Sequence, residues 1–165
     1  MNVIILCGGL STRLGDITKE IPKILLPVGE KAVLDWQLDK LVSLGIEEVV
    51  LAAGHLSDVL KNTVGEERNG IKIRYVVEEK KLGTGGAIKY ALTYVSEPNE
   101  PTLVLNGDVL VNIDLADMVS KLKPESDGII LATRVDDVAT YGTLVYDETG
   151  HLQEFKEKEK VHKPG

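Results

Sequence analysis

Short apolar runs alternate with helix-period segments along most of the chain, and no other feature narrows its fold as much. Asn2 to Cys7, Glu48 to Ala53, Ile71 to Val77, Thr102 to Asn106 and Gly128 to Thr133 read as buried strands. After the first of them, Leu34, Leu38, Leu41 and Val42 repeat at helical spacing, and Gly45 stands where a C-terminal cap belongs. Leu56, Val59, Leu60 and Val64 form a second stripe. Ala87, Ile88, Ala91, Leu92 and Val95 form a third, with Thr84 placed to cap its helix. Asp114 is positioned to cap a short helix that turns Leu115, Met118 and Leu122 inward. Trp36 and the stripes read as core. Strand followed by helix, repeated, predicts an α/β fold with a mainly parallel sheet and helices on both faces.

The pattern changes near Tyr141. Thr143 to Tyr146 and Leu152 to Lys156 flank Asp147-Glu148-Thr149-Gly150, a composition that favours a C-terminal β-hairpin. The stretch from Lys156 to Gly165 is charged and lacks a core pattern. With 165 residues, no internal repeat and no low-complexity linker, residues 1–165 read as one domain. The apolar runs are too short for a membrane span. A net charge of -7, from 19 basic and 26 acidic residues, disfavours a nucleic-acid partner, which needs a positive field. Met1 leads straight into a strand without a basic region or cleavage site, so the cytoplasm is the expected location. The oligomeric state is not legible, and a homo-oligomer is compatible with the chain. Cys7, the one cysteine, reads as a buried structural thiol at a strand end. His55, His151 and His162 have no metal-ligand spacing and read as surface or loop residues.

Three segments at strand ends carry chemistry. Gly8-Gly9-Leu10-Ser11-Thr12-Arg13-Leu14 follows the first strand, and Ile21-Pro22-Lys23 comes shortly after. Small residues let the backbone approach a polyphosphate, whose oxygens accept from the N–H groups and the hydroxyls of Ser11 and Thr12. Arg13 and Lys23 balance the charge. Neither a G-x-x-x-x-G-K-[ST] loop nor a complete G-x-G-x-x-G is present. The second segment, Glu78-Glu79-Lys80-Lys81-Leu82-Gly83-Thr84-Gly85-Gly86-Ala87, lies between the third strand and its helix, where open α/β sheets bind ligands. The third is Leu105-Asn106-Gly107-Asp108. Asp108 is the candidate magnesium ligand, because a hard cation takes carboxylate oxygen and keeps substrate phosphates in its other positions. Each segment alone also reads as plain structure: a glycine turn, a capped helix, a turn aspartate.

Taken in order, the motifs resemble the sugar-phosphate nucleotidyltransferase family, which opens with G-G-x-G-T-R-L and a P-K element. Gly8, Gly9, Thr12, Arg13, Leu14, Pro22 and Lys23 match, and Ser11 replaces the commoner glycine. The resemblance implies a three-layer, Rossmann-like nucleotidyltransferase fold. It implies transfer of a nucleotidyl group from a nucleoside triphosphate to a sugar 1-phosphate, with Mg2+ as cofactor and pyrophosphate released. Arg13, Lys23 and Asp108 would be catalytic, Asp108 also holding the metal. Gly8, Gly9, Ser11, Thr12, Glu78 and Gly83 would bind the nucleotide, with Glu78 helping to read the base. Tyr141-Gly142 and Glu154-Phe155-Lys156-Glu157-Lys158 resemble the Y-G and F-x-E-K elements that contact the sugar phosphate, so Gly142, Glu157 and Lys158 would do so here. Leu82 to Ile88 most resembles heptose and mannose 1-phosphate guanylyltransferases, which favours GTP, with uridylyl- and thymidylyltransferases as alternatives. The family continues beyond the E-K element to a second metal aspartate, so the resemblance implies a missing C-terminal part. A non-catalytic sugar-nucleotide-binding protein on the same fold is the rival reading. A glycosyltransferase is disfavoured by the absent D-x-D, since Asp108 is the lone acid from Asn106 to Val111.

Overall fold

The apolar run Asn2–Leu6 forms strand β1 inside a five-stranded sheet in the computed structural model, which describes residues 1–9, 20–158 and 164–165. It is followed by β2 (Pro27–Val28), β3 (Lys31–Ala32), α1 (Val33–Ser43), β4 (Glu48–Ala53), α2 (Ser57–Val64), β5 (Glu67–Arg68) and β6 (Ile71–Val77). Then come α3 (Gly83–Ala91), β7 (Thr102–Asn106), α4 (Leu115–Ser120), β8 (Thr143–Tyr146) and β9 (Leu152–Lys156). The chain divides into two compact units, Met1–Ala116 and Asp117–Gly165.

In the first unit the sheet order is β5-β6-β4-β1-β7, with β6, β4, β1 and β7 parallel and β5 antiparallel at the edge. Because side chains alternate along a strand, a strand covered on both faces must be apolar throughout. That is how β1 is built. Val3 and Ile5 pack with Leu34, Leu38, Leu41 and Leu60 from α1 and α2, while Ile4 packs with Val76 of β6 and Ala91 of α3 on the opposite face. The chain adds β4 and β6 to one side of β1, then returns over α3 to place β7 on the other side. The loops after β1 and β7 therefore diverge, and an open α/β sheet forms its ligand crevice at such a reversal.

Helix ends follow local chemistry. α1 stops in a Schellman turn, with Gly45 at φ +71° donating to Val42 O (2.9 Å) and Ile46 donating to Leu41 O (3.1 Å). Asp114 accepts from the Ala116 N–H (2.9 Å), as expected of a cap for α4. Thr84 does not cap α3. The helix begins at Gly83 with no side-chain cap, and the Glu78 carboxylate instead accepts from the Leu82 N–H just before it.

Several sequence expectations are corrected. Gly128 to Thr133 forms no strand, and Ile129, Ile130 and Leu131 are exposed. Apolarity there expresses a demand for cover, but a strand also needs a neighbour to take its N–H and C=O groups. Trp36 is 40% exposed rather than core. It lies on α1 with its indole N–H donated to Val28 O (2.9 Å), beneath the Lys31 ammonium at 5.2 Å. Val42, Val59 and Leu92 face outward. A helix turns about 100° per residue, so a valine next to the buried Leu41 or Leu60 already leaves the inner face. The β2–β3 hairpin and edge strand β5, at two residues per strand, are too short to leave a periodic signal in the sequence.

Edge strand β5 is tied to α1 by a forked ion pair: Arg68 Nε donates to Asp35 Oδ1 (2.6 Å) and Arg68 Nη2 to Oδ2 (2.9 Å). These hydrogen bonds hold the Asp35 carboxyl below its ordinary range. A depressed carboxylate stabilises the fold above its unfolded value, and that stability is lost as pH falls through the folded value. Replacing Asp35 with asparagine should lower the unfolding free energy at pH 7 by about 1–3 kcal/mol. The deficit should shrink below about pH 4, and denaturant titration at several pH values measures it.

In the second unit, β8 and β9 pair antiparallel with an irregularity at Val145/Tyr146. The turn is organised by Asp147. Its carboxylate accepts from the Thr149 hydroxyl (2.6 Å), the Thr149 N–H (2.9 Å) and the His151 N–H (3.0 Å). Those donors, the hydroxyl first, pull its pKa down to about 2. Gly150 completes the turn at φ +85°.

Candidate active site

A cleft of about 260 Å³ opens at the carboxyl ends of β1, β4, β6 and β7. Its walls include Gly8 and Gly9 after β1, Lys23, Glu78 after β6, Gly83 at the start of α3, and Asp108 after β7. These six were singled out from sequence on separate segments, and the sheet reversal brings them to one place. Ser11, Thr12 and Arg13 lie outside the described residues.

Each side of the cleft has its own local cause. Gly8 leaves room for Gly54, whose added Cβ would meet Gly8 Cα at 3.4 Å, so the loops after β1 and β4 touch through backbone. Lys23 opens a single 3-10 turn, Lys23–Leu25, closed by Leu25 N–H to Pro22 O (2.9 Å). Ile24, its neighbour, is buried in the main core and anchors that turn against the sheet. From there Lys23 Nζ reaches Asp108 Oδ2 at 3.2 Å. The loop bearing Asp108 is fixed by Gly107, which donates to Leu6 O at 2.9 Å. A Cβ on Gly107 would lie 2.7 Å from that oxygen, so the close approach requires glycine.

Opposite, Glu78 Oε2 accepts from the Leu82 N–H at 3.1 Å, which orders the loop leading into α3. Gly83, at φ +72°, starts that helix, and its uncapped first turn leaves N–H donors at the cleft rim. Among the polar lining residues, Lys81, Thr84 and Asn106 were not singled out as site residues from sequence. Lys81 supplies a second cation at the cleft. Its position in a charged run, Glu78 to Lys81, gave no basis for choosing it over Lys80.

Cys7 lies under the glycine turn and donates its S–H to Ile5 O (3.3 Å). Burial first, and the negative charge of Asp108 second, push the thiol up to about 12 from its ordinary 9.0. The raised pKa suits the structural role read from sequence, but the side chain is half-buried at the cleft wall rather than buried as the sequence pattern implies. Because the thiolate is the reacting form, alkylation by iodoacetamide at pH 8 should run about 10³-fold slower than at an ordinary cysteine, a difference measurable by mass spectrometry.

The sugar-phosphate candidates belong to the second unit. Glu157 and Lys158 follow β9 and are exposed. Gly142 lies against the Phe155 ring across the hairpin, where a Cβ would meet Phe155 Cζ at 2.5 Å. The described residues contain no cluster of three or more His, Cys, Asp or Glu side chains able to hold a metal. At Asp108 the protein offers one carboxylate, half exposed and facing the cleft. That fits an ion such as Mg2+, which binds through one or two carboxylates and takes its remaining oxygens from phosphates and water.

Residues 2–164 match the nucleotidyl transferase family along nearly the whole sequence. The chain belongs to that family. Among nucleotidyl transferases it is 45% identical to the D-glycero-alpha-D-manno-heptose 1-phosphate guanylyltransferase of Campylobacter jejuni over 159 residues, 96% of this chain and 69% of that protein. It is 38% identical to the mannose-1-phosphate guanyltransferase beta-A of Xenopus laevis over 165 residues, 98% of this chain. It spans 46% of that relative, about half its length. The crystal structure of HddC from Yersinia pseudotuberculosis complexed with GMP-PN superposes with a TM-score of 0.79 at 31% identity, covering 99% of this chain and 72% of that one. The α/β architecture with its C-terminal hairpin is thus the Rossmann-like nucleotidyl transferase fold.

Proposed function

We propose that this chain forms the nucleotide-binding part of an enzyme that joins a nucleoside triphosphate, GTP in preference, to a heptose or mannose type of sugar 1-phosphate, releasing pyrophosphate. The observation that carries the reading is the convergence of Gly8, Lys23, Glu78, Gly83 and Asp108 on one cleft at the sheet reversal. The names of its guanylyltransferase relatives support the choice of base and sugar. So does Glu78, since a cleft carboxylate suits guanine, whose N1–H and N2–H2 stand side by side as donors.

The chemistry needs no protein nucleophile. A phosphate oxygen of the sugar attacks the α-phosphorus and pyrophosphate leaves in line, so the protein's task is alignment and charge stabilisation. The N–H groups of the loop after β1, with Ser11, Thr12 and Arg13, hold the leaving phosphates. Lys23 offsets negative charge at the transferring phosphorus, and Gly83 leaves room for base and ribose. Gly142, Glu157 and Lys158 serve the sugar phosphate, Lys158 orienting the attacking group. Asp108 would hold Mg2+, which would supply neutralisation of the phosphate charge. We place the reaction in the cytoplasm, where the triphosphates are.

The test is a screen of the chain against four ribonucleoside triphosphates and a panel of sugar 1-phosphates with Mg2+, reading pyrophosphate. GTP with heptose or mannose 1-phosphate should be fastest. Faster turnover with UTP would reassign the base, and nucleotide binding without turnover of any pair would favour a non-catalytic sugar-nucleotide-binding protein.

A further inference from the structure

We propose that Gln37, in the middle of α1, is the positioning residue for Asp108, acting through the backbone on either side of it. The inference rests on Asp108 belonging to the transfer site. Gln37 is 6% exposed, and its Nε2 donates to two carbonyls, those of Asn106 and Val109, each at 2.9 Å. These carbonyls bracket Gly107-Asp108. One turn along the same helix, Lys40 Nζ donates to Val111 O (2.5 Å) and Ile113 O (3.3 Å). Residues three apart share a helix face, so one face of α1 grips the whole segment after β7 by its carbonyls. The opposite side of the turn is fixed by the Gly107 N–H on Leu6 O, and Val109 N–H closes it on Asn106 O at 3.2 Å. Asp108 is thereby aimed by α1 and β1 independently of its contact with Lys23.

The other end of the Gln37 amide explains why the residue is a glutamine. Its Oε1 is buried with no donor among the described residues. Turning the amide over would set Oε1 against two carbonyl oxygens and lose both bonds, so the orientation follows from the donor chemistry. A buried acceptor without a donor lowers stability, and methionine would fill the same space without that penalty. What methionine lacks is a pair of N–H groups directed at the turn. A core position that carries an orphaned acceptor for the sake of two outgoing bonds is a position where local stability yields to a functional demand.

Gln37→Met removes the donors and keeps the length; Q37L serves if that variant does not fold. Amide hydrogen exchange at Gly107 and Val109 should rise about tenfold or more, while amides in β1 and β4 keep their protection. With the turn loosened, kcat should fall about 10–100-fold, the scale of a 1 Å misplacement, with the KM for the triphosphate within about threefold. In an Asp108→Ala background the same substitution should lower the residual rate no further, because the group it positions is gone. An equal loss of kcat in both backgrounds, or unchanged exchange at Gly107 and Val109, would overturn the proposal. If the unaltered chain transfers nothing with any substrate pair, the functional reading fails on its own, and the exchange data still decide whether Gln37 holds the turn.

Discussion

Replacing Asp108 with alanine should lower the rate of nucleotidyl transfer about 10³-fold at saturating substrates, the scale seen when a preorganised charge-stabilising group is removed. The reason is the charge count in the cleft. Attack by one phosphate on another gathers negative charge at the α-phosphorus, and in the proposed reaction Asp108 would hold a divalent cation there. Its side chain is 51% exposed and meets Lys23 at 3.2 Å, an ion pair that contributes about 0–1 kcal/mol to stability. The variant should therefore unfold within a few degrees of the unaltered chain. Asp108→Asn separates charge from shape: it should be nearly as slow as the alanine variant. A near-normal rate for the asparagine form would show that Asp108 serves the turn and not a cation. Steady-state pyrophosphate release and thermal unfolding measure the two sides.

Gly107→Ala should be almost as damaging while leaving every polar group in place. The added methyl would sit 2.7 Å from Leu6 O and 3.1 Å from Ile24 Cδ1. The isoleucine end can move, but the carbonyl belongs to β1 in the sheet interior, so the loop itself must shift and weaken the Gly107–Leu6 hydrogen bond. Overpacking of this kind costs about 1–3 kcal/mol. The activity loss should be larger in proportion, about 10²-fold, because Asp108 and the P-K turn at Ile24 move together. Chemical denaturation and kcat measured on one preparation test both halves of the expectation.

Much of the architecture was legible because it depends on patterns that tolerate little ambiguity. The runs at residues 3–6 of β1 and 49–53 of β4 are apolar on both faces, and a sheet covered by helices on both sides uses such strands. The run at Gly128 to Thr133 failed for the complementary reason: hydropathy reports a need for burial and says nothing about which strand will supply the ladder. Trp36 failed because a large ring can lie flat on a surface hairpin and donate its N–H there. Thr84 failed because a residue with good capping chemistry lost to the Glu78 carboxylate, four positions before Leu82.

The site divided in the same way. Gly8, Lys23, Glu78, Gly83 and Asp108 stood at strand ends or in tight turns, where ligand chemistry and chain geometry agree. Gln37 left no trace in the sequence, since a glutamine on an amphipathic helix ordinarily faces water. Its meaning depends on the distance from α1 to two carbonyls that are about 70 residues away in the chain, at sequence separations of 69 and 72.

The central claim is that the cleft at the ends of β1 and β7 supports transfer of a nucleotidyl group to a sugar phosphate. Incubation with GTP labelled at the α-phosphorus, a heptose or mannose 1-phosphate and Mg2+ tests it directly, with products separated by anion exchange. The label should appear in a nucleotide sugar, with one pyrophosphate formed for each, and Asp108→Ala should suppress both together. Label recovered as GDP or GMP without a nucleotide sugar, or retained entirely in GTP, would contradict the account.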